Sequence, residues 1–397
     1  MCFMFGCCRD RTLSVFDDTD GHRLRRTLRE TSAAVNIDDR MLPWGAADIL
    51  IAGREQPSST STNEGQLMLR DKDTLLAGTL SVSTPLTSQI VQNNDGGSIL
   101  WMQGDSTDGV WLWRSGQGIN YFNTDLEQQW TFATATGSGL VRSGTDVILT
   151  KSSVSGASTI IEKIDNTGAS VATLAVNALS VTASYTIGTC SAFPIADSGN
   201  ILVYGRETRT SFPTKRRLWI VDSSLTEIAA NSPVDSATTY TAKTAFYNNT
   251  MFVSPDESSA VLRLSTTSLV RIDLATLTED WTVTAGDVVR CCDDTNVYTE
   301  ETGPTARSWA DGSVVWDGVL EIGAVDNMKI AEETGKVICL SMNRGAPLDG
   351  LPCVAILEPA DGSVQFGLEG KTYTDGNFMQ DVLNYDGKYY ISYRQCG

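Results

Sequence analysis

The sequence predicts an all-β protein of the β-propeller class, built from eight four-stranded blades with seven as the alternative count. Three observations lead there. Short β-rich runs bounded by Asp, Asn and Gly turns fill most of the 397 residues. Two classes of hairpin alternate along the chain with a period of roughly fifty residues, a spacing in the range of repeat architectures. The chain also begins with one class and ends with the other.

The first class is a turn followed by four to six apolar or β-branched residues. It reads WGAADILIAG (44–53), NNDGGSILWM (93–102), RSGTDVILTK (142–151), ADSGNILVYG (196–205), YNNTMFVS (247–254), CDDTNVYTE (292–300), EETGKVICLS (332–341) and NYDGKYYISY (384–393). In the second class an apolar strand runs into an Asp- or Asn-containing turn. It reads LSVFDDTDGHRL (13–24), LMLRDKDTLL (67–76), INYFNTDLEQQW (119–130), IIEKIDNTGASV (160–171), LWIVDSSLTEI (218–228), LVRIDLATLTEDW (269–281), RSWADGSVVW (307–316) and AILEPADGSVQF (355–366). Gly, Asn and Asp tolerate the positive φ that tight turns need, so apolar runs joined by them read as hairpins.

One hairpin of each class makes four antiparallel strands, the size of a propeller blade. The chain opens on a second-class hairpin and closes on a first-class one. The blade at the join therefore takes outer strands from 11–30 and inner strands from 371–397, within a single domain over 1–397. The strand near 388–395 is expected to lie against the one near 11–16. Such pairing removes a free edge, which a linear sandwich would leave open. It also predicts that Cys396 comes near Cys7 or Cys8 as a thiol cluster, or a disulfide in an oxidising medium.

Composition narrows the function classes. Lys+Arg 30 against Asp+Glu 48 gives a net charge of −18, which argues against nucleic acid as a partner. His22 is the only histidine, and no P-loop, nucleophile elbow or H-E-x-x-H motif occurs. The opening MCFMFGCCRDRT lacks the charged start and long apolar run of a secretory signal, and no run reaches the roughly 18 apolar residues of a membrane-spanning helix. The nine cysteines show no C-x-x-C spacing, so no metal is expected. FDDTDGHRL (16–24) offers Asp18, Asp20 and Gly21 of a calcium loop. Phe16 replaces the first acid and Thr27 the final Glu, so it reads as a plain turn.

The elements NTDLEQQW, DLATLTEDW and ADGSVVW resemble those of the quinoprotein-like, or pyrroloquinoline-quinone-type, eight-bladed propeller superfamily. Trp130, Trp281 and Trp316 fall where that family often has a docking tryptophan. Quinone-dependent dehydrogenases of similar fold carry a vicinal cysteine pair beside the cofactor, and Cys291-Cys292 is such a pair. No accompanying calcium-ligand set with a catalytic Asp is present, so no cofactor and no enzyme activity are expected. The outer-membrane assembly lipoprotein of similar length needs a lipobox, which neither Cys2 nor Cys7 follows. The Ser/Thr-rich, Arg-over-Lys, His-poor composition also looks like tailed-bacteriophage virion propellers.

Arg9, Arg11, Arg23, Arg25, Arg26 and Arg29 make the first hairpin basic within an acidic chain. They are the candidate partner-binding residues, for an acidic protein neighbour ahead of nucleic-acid phosphate, against the plain alternative of a solvated outer strand. On a strand, Arg23 and Arg25 share one face with Arg26 opposite. Lys215, Arg216 and Arg217 read as a solvated loop after Pro213. The functional expectation is a non-catalytic structural or adaptor propeller. Its foremost form is a phage virion component of tail, neck or nozzle, located in the virion and partnered by other virion proteins or copies of itself. The alternative is a cytoplasmic protein-interaction scaffold, and a quinone-dependent dehydrogenase is the weakest reading.

Overall fold

The computed structural model describes residues 10–17, 24–30, 40–55, 64–71, 87–91, 99–114, 118–132, 139–151, 160–195, 198–235, 251–265, 268–284, 288–300, 303–318, 325, 327–340, 352–369 and 378–395. Among them are eight antiparallel sheets whose strands we number in chain order. The closing sheet runs β2 (Leu24–Glu30), β1 (Asp10–Asp17), β33 (Lys388–Gln395), β32 (Phe378–Tyr385). The second comprises β3 (Arg40–Trp44), β4 (Asp48–Glu55), β5 (Glu64–Asp71) and β6 (Thr87–Val91). The third comprises β7 (Ile99–Asp105), β8 (Gly109–Arg114), β9 (Gly118–Phe122) and β10 (Gln128–Phe132). The fourth comprises β11 (Gly139–Ser143), β12 (Asp146–Lys151), β13 (Ile160–Ile164) and β14 (Ser170–Ala175).

The fifth has β15 (Thr186–Pro194), β16 (Ile201–Thr208), β17 (Lys215–Val221) and β18 (Glu227–Ala230), with the short β19 (Val234–Asp235) also pairing β17. The sixth has β20 (Met251–Val253), β21 (Ser259–Ser265), β22 (Ser268–Asp273) and β23 (Thr278–Thr284). The seventh has β24 (Val288–Cys292), β25 (Asn296–Glu300), β26 (Pro304–Ser308) and β27 (Val314–Asp317). The eighth has β28 (Asn327–Ile330), β29 (Val337–Leu340), β30 (Pro352–Leu357) and β31 (Val364–Glu369).

The expected join is present. β1 pairs with β33 from Asp10↔Gln395 to Asp17↔Lys388, so strands from the two ends of the chain share one sheet. Its inner strand is tied to both neighbouring sheets by one buried carboxylate. Asp381 on β32 accepts the Met41 amide of β3 at 2.8 Å and the Lys329 ammonium of β28 at 2.7 Å.

The chain forms two compact units. One holds 1–133, 302–304 and 317–397; the other holds 134–301 and 305–316. In each unit successive sheets pack face to face over apolar layers, as sheets about 10 Å apart do. In the first unit Ile338, Val354 and Ile356 of the eighth sheet meet Val382, Tyr389 and Ile391 of the closing sheet. Trp44, Leu50 and Leu67 of the second meet Val110, Leu112 and Phe122 of the third. In the second unit Ile148, Ile161 and Leu174 meet Val203, Trp219 and Val221, and Leu202, Tyr204 and Leu218 meet Ala260, Leu262 and Val270. Middle strands are covered on both faces, which is why β9, GINYF, is buried at every position. Fourth strands border solvent: β23, TEDWTVT, alternates exposed and half-buried.

Three of the second-class turns share one chemistry. An Asn or Asp at the start folds its side-chain oxygen back onto amides two and four residues on. Asn123 receives Asp125 and Glu127, Asp165 receives Thr167 and Ala169, and Asp222 receives Ser224 and Thr226, all at 2.8–3.1 Å. These are Asx turns, the reason such residues punctuate strands. A β-bulge stands beside the turn in the third-to-fourth strand pairing, as at Lys163/Ile164, Ile220/Val221 and Arg271/Ile272. Near the turn's end one residue takes positive φ: Leu126 at 60°, Leu225 at 62° and Leu277 at 56°. A left-handed leucine is strained by about 1–2 kcal/mol. All three are buried, and burying a leucine contributes about 1.5–3 kcal/mol, so the apolar gain offsets the strain.

Two first-class hairpins are displaced from their expected places. The turn expected in 93–102 lies one strand later, at 106–108 between β7 and β8. That expected in 247–254 lies after β20, where Ser254 and Ser259 close SPDES. In both places a polar cluster precedes the first strand and resembles the hairpin turn that follows it. The β1–β2 pairing is irregular at the arginines. Phe16 faces Leu24 and Val15 faces Arg26, so Arg25 is the extra residue of a bulge.

Candidate docking site

The most elaborate polar arrangement among the described residues is at the end of the fifth sheet where β16 passes to β17. Lys215, Arg216 and Arg217 begin β17; they are strand residues in ion pairs, correcting their reading as a solvated loop. Lys215 meets Asp235 of β19 at 2.8 Å, which raises its ammonium above the ordinary lysine value. Arg216 meets Glu279 of the sixth sheet through two parallel bonds of 2.6 and 2.5 Å. Arg217 meets Glu207 of β16 at 2.9 Å. Strand alternation sends Arg216 toward the sixth sheet and its two neighbours toward the fourth.

Glu207 is fully buried. Besides Arg217 it accepts the Thr182 amide, 3.2 Å from both carboxylate oxygens. Arg217 also reaches the Ser180 hydroxyl at 3.2 Å, and Ser180 donates its amide and hydroxyl to Glu227, each at 2.6 Å. The Trp219 indole N–H donates to the Ser180 carbonyl at 2.8 Å. Through these bonds the segment joining the fourth and fifth sheets is clamped along β17.

On this frame stands the loop RTSFPT (209–214). The Phe212 amide donates to the Arg209 carbonyl at 3.1 Å, with Ser211 at φ 65°, the geometry of a turn with a left-handed third residue. Pro213 favours extended backbone at Phe212. The Pro213 carbonyl accepts the Tyr185 hydroxyl at 3.2 Å, and Lys215 lies 5.3 Å over the Tyr185 ring. Phe212 is left half exposed, at 50%, with the Arg209 guanidinium 3.8 Å above its ring. Arg206 is exposed on β16 at the register position opposite Arg216. An aromatic ring and guanidinium groups on a rigid support are the residue types that concentrate binding energy in protein interfaces.

The sequence-derived candidates are distributed differently. Arg11 is in β1, between Glu30 of β2 and Arg394 of β33, while Arg25, Arg26 and Arg29 are in the outer strand β2. Arg9, Arg23, Cys7, Cys8 and Cys396 lie outside the described residues, as do His22 and the 18–21 turn. Cys291 pairs with Tyr298 and Cys292 with Val297, successive register positions whose side chains take opposite faces of β24. Burial pushes the Cys292 thiol up to about 12 and holds it protonated. Trp281 of the sixth sheet donates to the Trp309 carbonyl of the seventh at 2.9 Å. A Cβ on Gly312, at φ 72°, would come within 3.0 Å of that indole. Trp130 stacks on Tyr121, and Trp316 packs on Tyr298, each within its own sheet. No group of three or more His, Cys, Asp or Glu is placed to hold a metal among the described residues. None of their helices is long and apolar enough to cross a membrane.

No family model matches the chain, and no curated protein is similar to it in sequence. Among solved structures the C-terminal WD40 domain of Sif2 is similar with a TM-score of 0.53, at 9% identity, over 92% of this chain and 98% of that one. The fold is a β-propeller. BamB from Moraxella catarrhalis (TM-score 0.49, 13% identity, 90% and 97% covered) is a weaker likeness. So is the Neurospora crassa Pan2 WD40 domain (0.47, 10%, 76% and 90%). At these identities the likeness speaks of fold alone, and the function must be argued from the site.

Proposed function

We propose that this chain is a non-catalytic interaction scaffold, one propeller domain that docks partner proteins on the loop ends of its sheets. One observation carries this reading: the exposed Phe212 and Arg209, on a loop anchored by buried and cross-sheet ion pairs. So much polar support under a solvent-facing aromatic ring suits a surface that must hold its shape before a partner arrives. The basic hairpin bearing Arg9, Arg11, Arg23, Arg25, Arg26 and Arg29 is a second contact of the same kind. A tail, neck or nozzle component of a phage virion is the finer form of the proposal, supported by composition, and mass spectrometry of purified particles tests it.

The docking reading is tested by placing a photo-crosslinking benzoylphenylalanine at position 212 in the cells that make the protein. A discrete protein adduct at 212, absent when the same group replaces the exposed Thr173 on β14, is expected. Equal labelling from both positions, or none from 212, overturns it.

A further inference from the structure

Within this docking reading, on which the inference rests, we propose that the 206–212 corner takes an acidic peptide segment with an apolar side chain beside its carboxylates. The charges of the corner do not balance. Lys215, Arg216 and Arg217 are each matched by an acid, Asp235, Glu279 and Glu207. Arg206 has no hydrogen-bond or ion-pair partner among the described residues, and Arg209 has only the Phe212 ring. Two guanidinium groups therefore stand uncompensated in a chain of net charge −18. Arg206 also faces Arg216 across the β16–β17 pair. The planar fork of arginine suits an incoming carboxylate.

The ring defines the other half of the ligand. Phe212 offers apolar area with Arg209 stacked on it, so a leucine-sized side chain next to an acid meets ring and charge together. Nucleic acid fits less well, because phosphate binding draws on many cations and this corner leaves two for a ligand. A second copy of the chain would supply acids as well, and self-association is therefore an outcome of the test.

The experiment titrates the full chain into a fluorescent Glu-Asp-Leu-Asp-Glu-Leu-Glu peptide, its Gln/Asn analogue and an oligothymidylate, at low and physiological salt. The acidic peptide is expected to bind, more weakly as salt rises. Arg206→Ser with Arg209→Ser should weaken it roughly tenfold. Phe212→Ser should weaken it, but should leave a peptide with Ser for Leu unaffected. All three side chains are at the surface, so unchanged thermal midpoints are expected to accompany the losses. Equal binding of the neutral analogue, an unaffected double variant, preferred binding of the oligonucleotide, or self-association that excludes the peptide overturns the proposal. Cross-linking at 212 separates the two levels. An adduct on a segment poor in acids removes the acidic ligand and leaves docking intact, whereas no adduct removes both.

Discussion

The turns of the sheets and the loop end of the fifth sheet are both rich in acids hydrogen-bonded to their surroundings, yet the partners come from different distances. At the turns, Asp165 binds amides two and four residues away, and Asn123 does the same. At the loop end, Arg217 and Glu207 are ten residues apart, Ser180 and Glu227 forty-seven, and Arg216 and Glu279 sixty-three. Local bonds repeat wherever the local sequence repeats, so they build the common frame. Long-range bonds follow no local repeat, and those of the fifth sheet build its corner.

Removing a long-range partner should therefore have the largest effect. Glu207→Ala leaves Arg217 mostly buried without its carboxylate and the Thr182 amide without an acceptor. A loss of about 3 kcal/mol is expected in urea unfolding, as when one member of a buried pair is deleted. Glu207→Gln keeps an acceptor and should lose less. A change as small as those at exposed positions would show that the clamp is not structural, and would remove the physical basis for the docking corner.

The next test probes the turns. Leu225 has positive φ and is buried against Trp219 and Val221. Leu225→Ala loses the packing and keeps the strain, with an expected cost of about 3 kcal/mol. Leu225→Gly loses the same packing but relieves the backbone, so it should be the more stable of the two by about 1 kcal/mol. That order reverses the usual penalty for glycine. Alanine proving the more stable would mean that packing alone fixes this turn.

The same contrast accounts for what could be read from the chain itself. The four-strand units, most turns and the pairing of 10–17 with 388–395 were legible because turn residues and apolar alternation act locally and recur. Turn-like clusters outside hairpins, NNDGG and YNNT, account for the two displaced hairpins. The docking corner was illegible for a different reason. Nothing in KRR reveals that Glu279 and Asp235 come to meet it, and a charge run on its own looks like solvated surface. The one local signal was the half-exposed tip: a phenylalanine between Ser211 and Pro213 in an otherwise polar loop.

A single turn should have a smaller effect. Asp165→Ala removes the acceptor for two amides that face solvent and can turn to water, so a loss near 1 kcal/mol is expected in urea unfolding. If its cost rivals that of Glu207→Ala, local and long-range bonds are not differently weighted.

The smallest effect is one of pH, and its sign separates two kinds of acid. At the turns, hydrogen bonds to the carboxylates of Asp165, Asp256, Asp273, Asp311 and Asp361 hold them below the ordinary aspartate value of 3.8. For such groups stability is fully present above 3.8 and is lost as pH falls through the lowered folded values. Asp48 behaves oppositely. Burial first, and the facing Asp71 second, raise it, so its effect on stability worsens as pH climbs through the raised value. Replacing Asp165, Asp273, Asp311 and Asp361 together by Asn keeps a side-chain oxygen for every amide, as Asn123 already shows. The thermal midpoint at pH 7 should hardly move, while its fall between pH 4 and about 2.5 should flatten. In Asp48→Asn the neutral-pH midpoint should rise slightly instead. An acid limb unchanged in the fourfold variant would mean that the turn carboxylates do not govern acid unfolding.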